Sequence, residues 1–264
     1  MFFLRLTCPA DEAEWLSAEL WDAGTAGIQE IDQDGEITLL SGFETNENRE
    51  SLLRRFARYG PEWEHEDATD WVAHTKEAWP PRRVGEHLFL TPPWHDGETP
   101  PGRIRIVHTP GVACGTGEHP CTQLALEALE RYKLAGRTVA DVGTGSGILA
   151  IAALRLGAAK VLGLDTDEAA LAAARENFAL NGLPALLAAG SVDAMQSRTA
   201  DVTVANISAT VLLSISDELL RITKPSGTLI LTGLPEWELS ASLGIFPSAS
   251  VSAMNEWRCI VATL

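Results

Sequence analysis

The sequence predicts an α/β protein in which a Rossmann-like, doubly wound sheet follows a small ferredoxin-like α+β domain. From residue 119 onward, short apolar runs alternate with segments of helical periodicity, as expected of buried parallel strands and the helices between them. The first 66 residues instead have the order β-α-β-β-α-β. A glycine-rich turn at 143–147 follows the first strand of the alternating region, at the edge where open α/β sheets bind their ligands.

Residues 1–66 are predicted to form the ferredoxin-like domain. An Asp-Gly pair at 34–35 predicts a hairpin turn, and Gly24 and Gly60 follow the two predicted helices. Its predicted elements are strands at 2–8, 27–31, 36–40 and 62–66 and helices at 11–23 and 46–59. The domain holds 15 acidic and 5 basic residues, so much of the negative charge of the chain lies here. We expect it to recognise a substrate or to support the rest of the chain.

A connector helix and a hairpin are predicted between this domain and the alternating region. Residues 67–82 form the connector, whose predicted helix over 70–79 ends at Pro80-Pro81. Apolar runs at 86–90 and 103–107 are separated by a segment rich in proline and glycine. They predict a hairpin with a long loop.

The second domain is predicted to span residues 83–264 and to contain the doubly wound sheet. Predicted helices lie at 119–134, 148–156, 168–180 and 209–222, and predicted strands at 138–142, 161–165, 185–188, 201–206 and 228–232. A further strand is predicted at 257–262, with an antiparallel orientation left open.

Composition and charge exclude several classes of protein. The chain has 264 residues and a net charge of −16, which repels a phosphate backbone, so no direct binding to nucleic acid is expected. No apolar stretch approaches the roughly 18 residues of a membrane span, and the N-terminus lacks the features of a signal peptide. We therefore expect a cytoplasmic monomer without membrane contact. The four cysteines are scattered without CxxC or His/Cys spacing, which predicts reduced thiols and no metal site.

The glycine-rich turn carries the strongest chemical signal. Its glycines permit a sharp turn and the close approach of a ligand, and the helix that follows presents free N–H groups. The spacing is G-x-G-x-G, with Ile148 where a dinucleotide-binding turn has its third glycine. Asp141 would repel a pyrophosphate but suits the positive groups of S-adenosylmethionine, and Asp165 at the next strand end can accept both ribose hydroxyls. Gly143, Gly145 and Asp165 are thus candidates for binding S-adenosylmethionine, although both aspartates could instead cap helices and shape turns.

Two further motifs lie close to the predicted crevice. Gly115-Thr116-Gly117 precedes the helix that starts near Pro120 and can expose several N–H groups to a ligand. His119 at this helix start is a candidate base, although a histidine there is more often structural. Asn206 ends the fourth strand of the sheet, where it can hydrogen-bond the cofactor or an acceptor nitrogen, or cap the next helix. Asn206 and His119 are therefore the candidates for a catalytic role.

Taken together, these residues resemble the bacterial ribosomal protein L11 methyltransferase family over nearly the whole chain. Beyond the glycine-rich turn and Asp165, the resemblance rests on Gly85-Glu86-His87-Leu88, Pro93-Trp94, Gly115-Thr116-Gly117, His119-Pro120, Thr122, Ala205-Asn206-Ile207 and Glu256-Trp257. It implies contacts with S-adenosylmethionine at four positions, Thr122, Gly143, Asp165 and Asn206. It also implies that the N-terminal domain recognises a basic ribosomal protein whose amino groups, on lysine or at the N-terminus, are methylated. Glu118 departs from the small or hydroxyl residue that the family has there.

The chemistry that the resemblance implies is direct displacement, in which a neutral amine attacks the methyl carbon in line with the leaving sulfur. A lysine ammonium, with an unperturbed pKa of about 10.4, must first lose its proton, and a poorly solvated pocket beside a sulfonium favours that loss. Two other functions stay open: a methyltransferase of small molecules or of other protein lysines, and a non-catalytic ribosome-binding module. The spacing of the turn disfavours an NAD-dependent dehydrogenase.

Overall fold

The computed structural model describes residues 2–33, 36–65, 79–109, 117–246 and 249–264. The chain divides into two compact units, Met1–Ala78 and Trp79–Leu264. The division falls within the segment predicted as the connector, but nearly all of the predicted connector helix lies outside the described residues. In the described part of the chain, no helix is long and apolar enough to cross a membrane.

The smaller unit has the split β-α-β-β-α-β order that the sequence predicts. Its elements are β1 (Phe2–Pro9), α1 (Ala10–Asp22), β2 (Gly27–Gln33), β3 (Glu36–Phe43), α2 (Arg49–Arg55) and β4 (Glu62–His65). The strands form an antiparallel sheet in the order β2-β3-β1-β4. Leu16 and Leu20 of α1 are buried with Leu4, Leu6 and Leu39 of the strands, so this unit has a core of its own.

The second helix of this unit is shorter than predicted. The apolar pattern predicts a helix over 46–59, whereas α2 ends at Arg55 and a 3₁₀ turn, Ala57–Tyr59, follows. Gly60, with a φ of 59°, ends the turn in the left-handed conformation. Phe56 and Tyr59 are still buried, so the apolar residues that predicted one long helix face the core from the short helix and the 3₁₀ turn together.

Three short strands open the larger unit: β5 (Arg82–Val84), β6 (Leu88–Thr91) and β7 (Ile104–Val107). The hairpin predicted from the runs at 86–90 and 103–107 is wrong, because β6 and β7 are parallel. The antiparallel pair is β5 and β6, joined through Gly85, whose φ is 52°. The loop between β6 and β7 is long enough for the crossover that a parallel pair requires. The Arg103 guanidinium donates to three carbonyls around the β5–β6 turn and fastens the start of β7 there.

The rest of the larger unit is a doubly wound sheet, which confirms the predicted fold class. Its helices are α3 (Pro120–Glu130), α4 (Ile148–Arg155), α5 (Glu168–Leu180), α6 (Ala209–Ser214), α7 (Ser216–Ile222) and α8 (Leu239–Ile245). Its strands are β8 (Thr138–Val142), β9 (Lys160–Asp165), β10 (Leu187–Ala189), β11 (Ala200–Asn206), β12 (Thr223–Pro235), β13 (Ser250–Met254) and β14 (Trp257–Thr263). Among the described residues, the strand order is β10-β9-β8-β11-β12-β14-β13. Strands β8 to β12 pair in parallel, whereas β14 pairs antiparallel with β12 and β13.

Several elements of this sheet differ from the prediction in extent. The helix predicted over 209–222 is two helices that meet at Ile215. Strand β12 begins directly after α7 and extends beyond the predicted 228–232 at both ends. The sequence pattern does not predict α8 or β13. Strand β13 lies at the edge of the sheet, and its mostly small or polar side chains form no apolar run.

The strand order reverses at β8, and this reversal positions the candidate site. Helices cover both faces of the sheet, burying Leu126, Ile151 and Phe178 on one face and Leu212 and Ile222 on the other. From β8 the sheet continues through β9 and β10 on one side and through β11 and β12 on the other. The loops that follow β8 and β11 therefore diverge and leave a crevice at the carboxyl ends of the strands.

Candidate active site

An open cleft of about 990 Å³ occupies this crevice. Its volume lies in the range of sites that hold a small molecule or cofactor. The residues predicted to bind the cofactor all lie on its wall: Thr122, Gly143, Gly145, Asp165 and Asn206. The second catalytic candidate, His119, lies there too. The fold thus brings together residues from α3 and from the ends of β8, β9 and β11, while the individual contacts with the cofactor stay a prediction.

The turn after β8 is built on glycines in the left-handed conformation. Gly143, Gly145 and Gly147 have φ angles of 71°, 53° and 81°, which residues with a Cβ rarely adopt. The Gly143 N–H donates to the carbonyl of Leu164 at 2.8 Å, so the turn is fastened to β9. A Cβ on Gly143 would also collide with the side chain of Ile207, which follows β11. Glycine is needed here for backbone conformation and for close packing.

Asp141 lies beneath this turn and is absent from the cleft wall. Its side chain is fully buried, and Oδ2 accepts hydrogen bonds from Thr144 Oγ1 at 2.7 Å and Ala150 N at 3.1 Å. Burial raises the pKa of this carboxyl to about 6, although both hydrogen bonds act in the opposite direction. The second oxygen, Oδ1, has no partner among the described residues. Asp141 therefore shapes the turn and caps the first turn of α4, the alternative that the sequence left open.

Asp165 is held in place by two backbone N–H groups at the end of β9. Its Oδ2 accepts from Gly145 N at 2.8 Å, and its Oδ1 accepts from Asp167 N at 3.0 Å. A carboxylate oxygen can accept more than one hydrogen bond, so both oxygens can still receive ligand hydroxyls. The backbone therefore orients this carboxylate before a ligand arrives. Asp167, also on the wall, caps α5 by accepting from Ala169 N at 2.8 Å.

Thr122 and Asn206 are bonded to each other although 84 positions separate them in the chain. Asn206 Nδ2 donates to Thr122 Oγ1 at 3.2 Å, which joins the end of β11 to the first turn of α3. Asn206 does not cap the next helix, because the N-cap of α6 is Ser208. Its amide is instead oriented at the cleft, and its Oδ1 can still accept a hydrogen bond.

His119 is the N-cap of α3. Its Nδ1 accepts from Cys121 N at 3.3 Å, and its ring packs edge-on against Trp257 with the centroids 4.7 Å apart. A neutral imidazole that accepts at Nδ1 carries its proton on Nε2, so neither nitrogen has a lone pair left for a substrate proton. This geometry favours the structural role for His119 over that of a base.

The loop before α3 is only partly described. Gly115 and Thr116 lie outside the described residues, whereas Gly117 lies on a second, smaller cavity and not on the cleft. Glu118, the residue that departs from the family pattern, pairs with Arg82 of β5, with Nη2 and Oε1 2.8 Å apart. In this chain, position 118 therefore ties the loop to the three-stranded sheet.

Gly233, Glu238 and Trp257 are among the residues of the cleft wall that the predicted site omits. Gly233 lies at an irregularity of β12 with a φ of 87°, and a Cβ there would collide with the backbone of Ile207. A glycine inside a strand is itself a signal of a bulge. Glu238 lies in a 3₁₀ turn after β12, and Trp257 starts β14. The place of Trp257 in the site depends on β14 pairing with β12, which no local pattern indicates.

The charges of the cleft favour a cationic ligand. Its wall carries the carboxylates Asp165, Asp167 and Glu238 and, within the described ranges, no lysine or arginine. A pyrophosphate would have no cation to pair with here, whereas the sulfonium and ammonium of S-adenosylmethionine are attracted. The backbone-held carboxylate of Asp165 suits the two hydroxyls of a ribose. The residues present therefore fit S-adenosylmethionine.

The strand order, the G-x-G-x-G turn and this carboxylate define the class of protein: a Rossmann-like methyltransferase that uses S-adenosylmethionine. Over residues 29–264 the chain matches the family model described as "Ribosomal protein L11 methyltransferase (PrmA)". It therefore belongs to the ribosomal protein L11 methyltransferase family, which confirms the resemblance. Its cofactor is S-adenosylmethionine.

Individual relatives agree with this assignment. A "Ribosomal protein L11 methyltransferase" from Azotobacter vinelandii is 35% identical over 253 residues, covering 88% of this chain and 86% of that protein. One of the same name from Geobacter sulfurreducens is 43% identical over 197 residues, covering 73% and 65% of the two chains. A crystal structure of ribosomal protein L11 methylase from Lactobacillus delbrueckii subsp. bulgaricus matches with a TM-score of 0.64 and 34% identity, covering 69% of this chain and 97% of that one.

Proposed function

We propose that this chain transfers methyl groups from S-adenosylmethionine to amino groups of ribosomal protein L11, on lysine side chains or at the N-terminus. The observation that carries the proposal is the cleft itself, whose wall is acidic and contains the fixed carboxylate of Asp165. The family match supports the substrate, because it spans most of the smaller unit as well as the whole cleft.

In this proposal, the cofactor lies along the turn after β8. Gly143 and Gly145 let the backbone approach it closely, and Asp165 accepts hydrogen bonds from both ribose hydroxyls. Thr122 and Asn206, bonded to each other, line the side of the cleft formed by α3 and β11. When bound, S-adenosylmethionine supplies an electrophilic methyl group.

Asn206 is the residue that we assign to the acceptor amine. Its Nδ2 is engaged by Thr122, so its Oδ1 is available to receive an N–H of the amine and to aim the nitrogen lone pair. Ile207, Pro235 and Trp257 add apolar surface to the wall, which excludes water and lowers the pKa of a lysine that enters. The protein thus works mainly by alignment and desolvation, without a dedicated base from His119.

The smaller unit is the substrate-recognition domain in this proposal. Its 15 acidic and 5 basic residues, counted over positions 1–66, give it a strongly negative surface suited to a basic ribosomal protein. Opposite charges accelerate encounter and fix orientation, so the domain would capture the substrate before an amine enters the cleft. We further propose that the enzyme acts in the cytoplasm as a monomer.

The test is incubation of the purified chain with methyl-labelled S-adenosylmethionine and unmethylated ribosomal protein L11. We expect label in L11. The Asp165→Ala variant should bind the cofactor about 100-fold more weakly in calorimetry, because it loses two hydrogen bonds to a charged group. Asp217→Ala removes an exposed carboxylate on α7 and should behave as wild type. Absence of label with intact cofactor binding would contradict the substrate, and unchanged affinity of Asp165→Ala would contradict the site.

A further inference from the structure

We infer that Glu238 recognises the positive charge of the acceptor amine in a cleft whose wall also includes Trp257; the inference rests on the proposed function. Both residues line the cleft. Glu238 follows β12, whereas Asp165 ends β9, so the two carboxylates lie on opposite sides of the reversal in strand order. The side that holds Glu238 is therefore the one left for the acceptor.

The other two carboxylates of the wall are already engaged by the backbone. Both oxygens of Asp165 accept N–H groups, and Asp167 caps α5. In contrast, the carboxylate of Glu238 forms no hydrogen bond or ion pair with another described residue. Its charge is thus available to a ligand.

No described lysine or arginine lies on the cleft wall with Glu238. Arg258, at the start of β14, pairs at 2.9 Å with Glu236, two positions before Glu238 in the chain. The ring of Trp257, another residue of the wall, packs edge-on against His119, with 4.7 Å between the centroids. A half-buried carboxylate in a cleft that also presents an aromatic ring is a suitable receptor for an alkylammonium, since the ring accommodates the methylenes and its face attracts the charge.

The chemistry of the acceptor requires such a group. With an unperturbed pKa of about 10.4, a lysine reaches the enzyme as an ammonium and must enter an apolar cleft that also holds a sulfonium. A carboxylate at a half-exposed position offsets the repulsion and the loss of water while the side chain enters. The ammonium then releases its proton to water at the open side of the cleft, and Asn206, which is bonded to the buried Thr122, receives the neutral amine.

The test compares Glu238→Gln with Glu236→Gln in steady-state methylation of L11. Glu236 is a matched control because it lies in the same turn, with its side chain 67% exposed and off the cleft wall. Glu238→Gln should raise the KM for L11 about tenfold, and change kcat and the cofactor Kd by less than about threefold each. Glu238→Asp should recover part of the loss, and high salt should reduce the difference between wild type and Glu238→Gln.

The outcomes separate this inference from the function on which it rests. Methylation by the wild type with the same KM in Glu238→Gln would overturn the role of Glu238 and leave the proposed function standing. An equal rise of KM in Glu236→Gln would also overturn it, because the effect would then belong to the charge of the turn. If the wild type transfers no methyl group to L11, the proposed function fails and this inference fails with it.

Discussion

At the scale of single residues, Asp141 makes the stability of the cofactor turn depend on pH. Its pKa in the folded protein is about 6, above the ordinary 3.8, because burial disfavours the charged form. The folded state therefore binds this proton more tightly than the unfolded state, and the stability it contributes below pH 4 is lost as the pH rises through 6.

Asp141→Asn removes this titration while keeping an oxygen for Thr144 and Ala150. Between pH 4 and pH 7, the free energy of unfolding of the wild type should fall by about 2 kcal/mol relative to that of the variant. Urea unfolding of both cofactor-free proteins across this range measures the difference. Profiles that stay parallel would show that the carboxyl of Asp141 titrates at its ordinary pKa.

The sequence predicts single residues well where they end a strand of the sheet. Asp165 and Asn206 were located because the carboxyl ends of parallel strands meet at one edge. The bond between Asn206 and Thr122 could not be predicted, since it joins residues 84 positions apart through the packing of α3 on the sheet. The burial of the Asp141 carboxylate beneath the turn could not be predicted without the path of the backbone, because a side chain at that position can face either the cleft or the interior.

At the scale of elements, the irregularity of β12 keeps the loop after β11 in place. Gly233→Ala adds a Cβ that meets the backbone of Ile207, whereas Gly182→Ala, after α5, has nothing within 4 Å of its Cβ. Both glycines have positive φ, 87° and 61°, so both variants pay the same kind of conformational strain, about 1–2 kcal/mol. Gly233→Ala should lose about 2 kcal/mol more in urea unfolding because of the collision. Equal losses in the two variants would mean that Ile207 yields without cost.

The existence of elements was easier to predict than their partners. Residues 168–180 form the predicted helix and 138–142 the predicted strand, since each has a clear period and clear end signals. The hairpin predicted for β6 and β7 was wrong, because an apolar run does not encode the direction of the strand beside it. That direction depends on long-range features, namely the crossover length and the hydrogen bonds of Arg103 to the β5–β6 turn.

At the scale of the whole molecule, we expect capture of the substrate and the chemistry to belong to different parts of the chain. The larger unit has buried clusters on both faces of its sheet, and the smaller unit has a separate core around Leu16 and Phe56. Every described residue of the cleft wall belongs to the larger unit. Binding of the cofactor should therefore need only residues 79–264, whereas a protein substrate should need both units.

A chain restricted to residues 79–264 tests this division of work. Calorimetry should give a Kd for S-adenosylmethionine within about threefold of the full chain, because the fragment retains every cleft residue that the structure describes. Methylation of L11 at low substrate concentration should fall at least about 100-fold, since the acidic surface that attracts a basic protein is gone. Circular dichroism and a cooperative thermal transition control for folding of the fragment. If the fragment methylates L11 as efficiently as the full chain, the cleft alone selects the substrate and the acidic unit has another role. If both the fragment and the full chain methylate a small amine, the enzyme belongs to the small-molecule class.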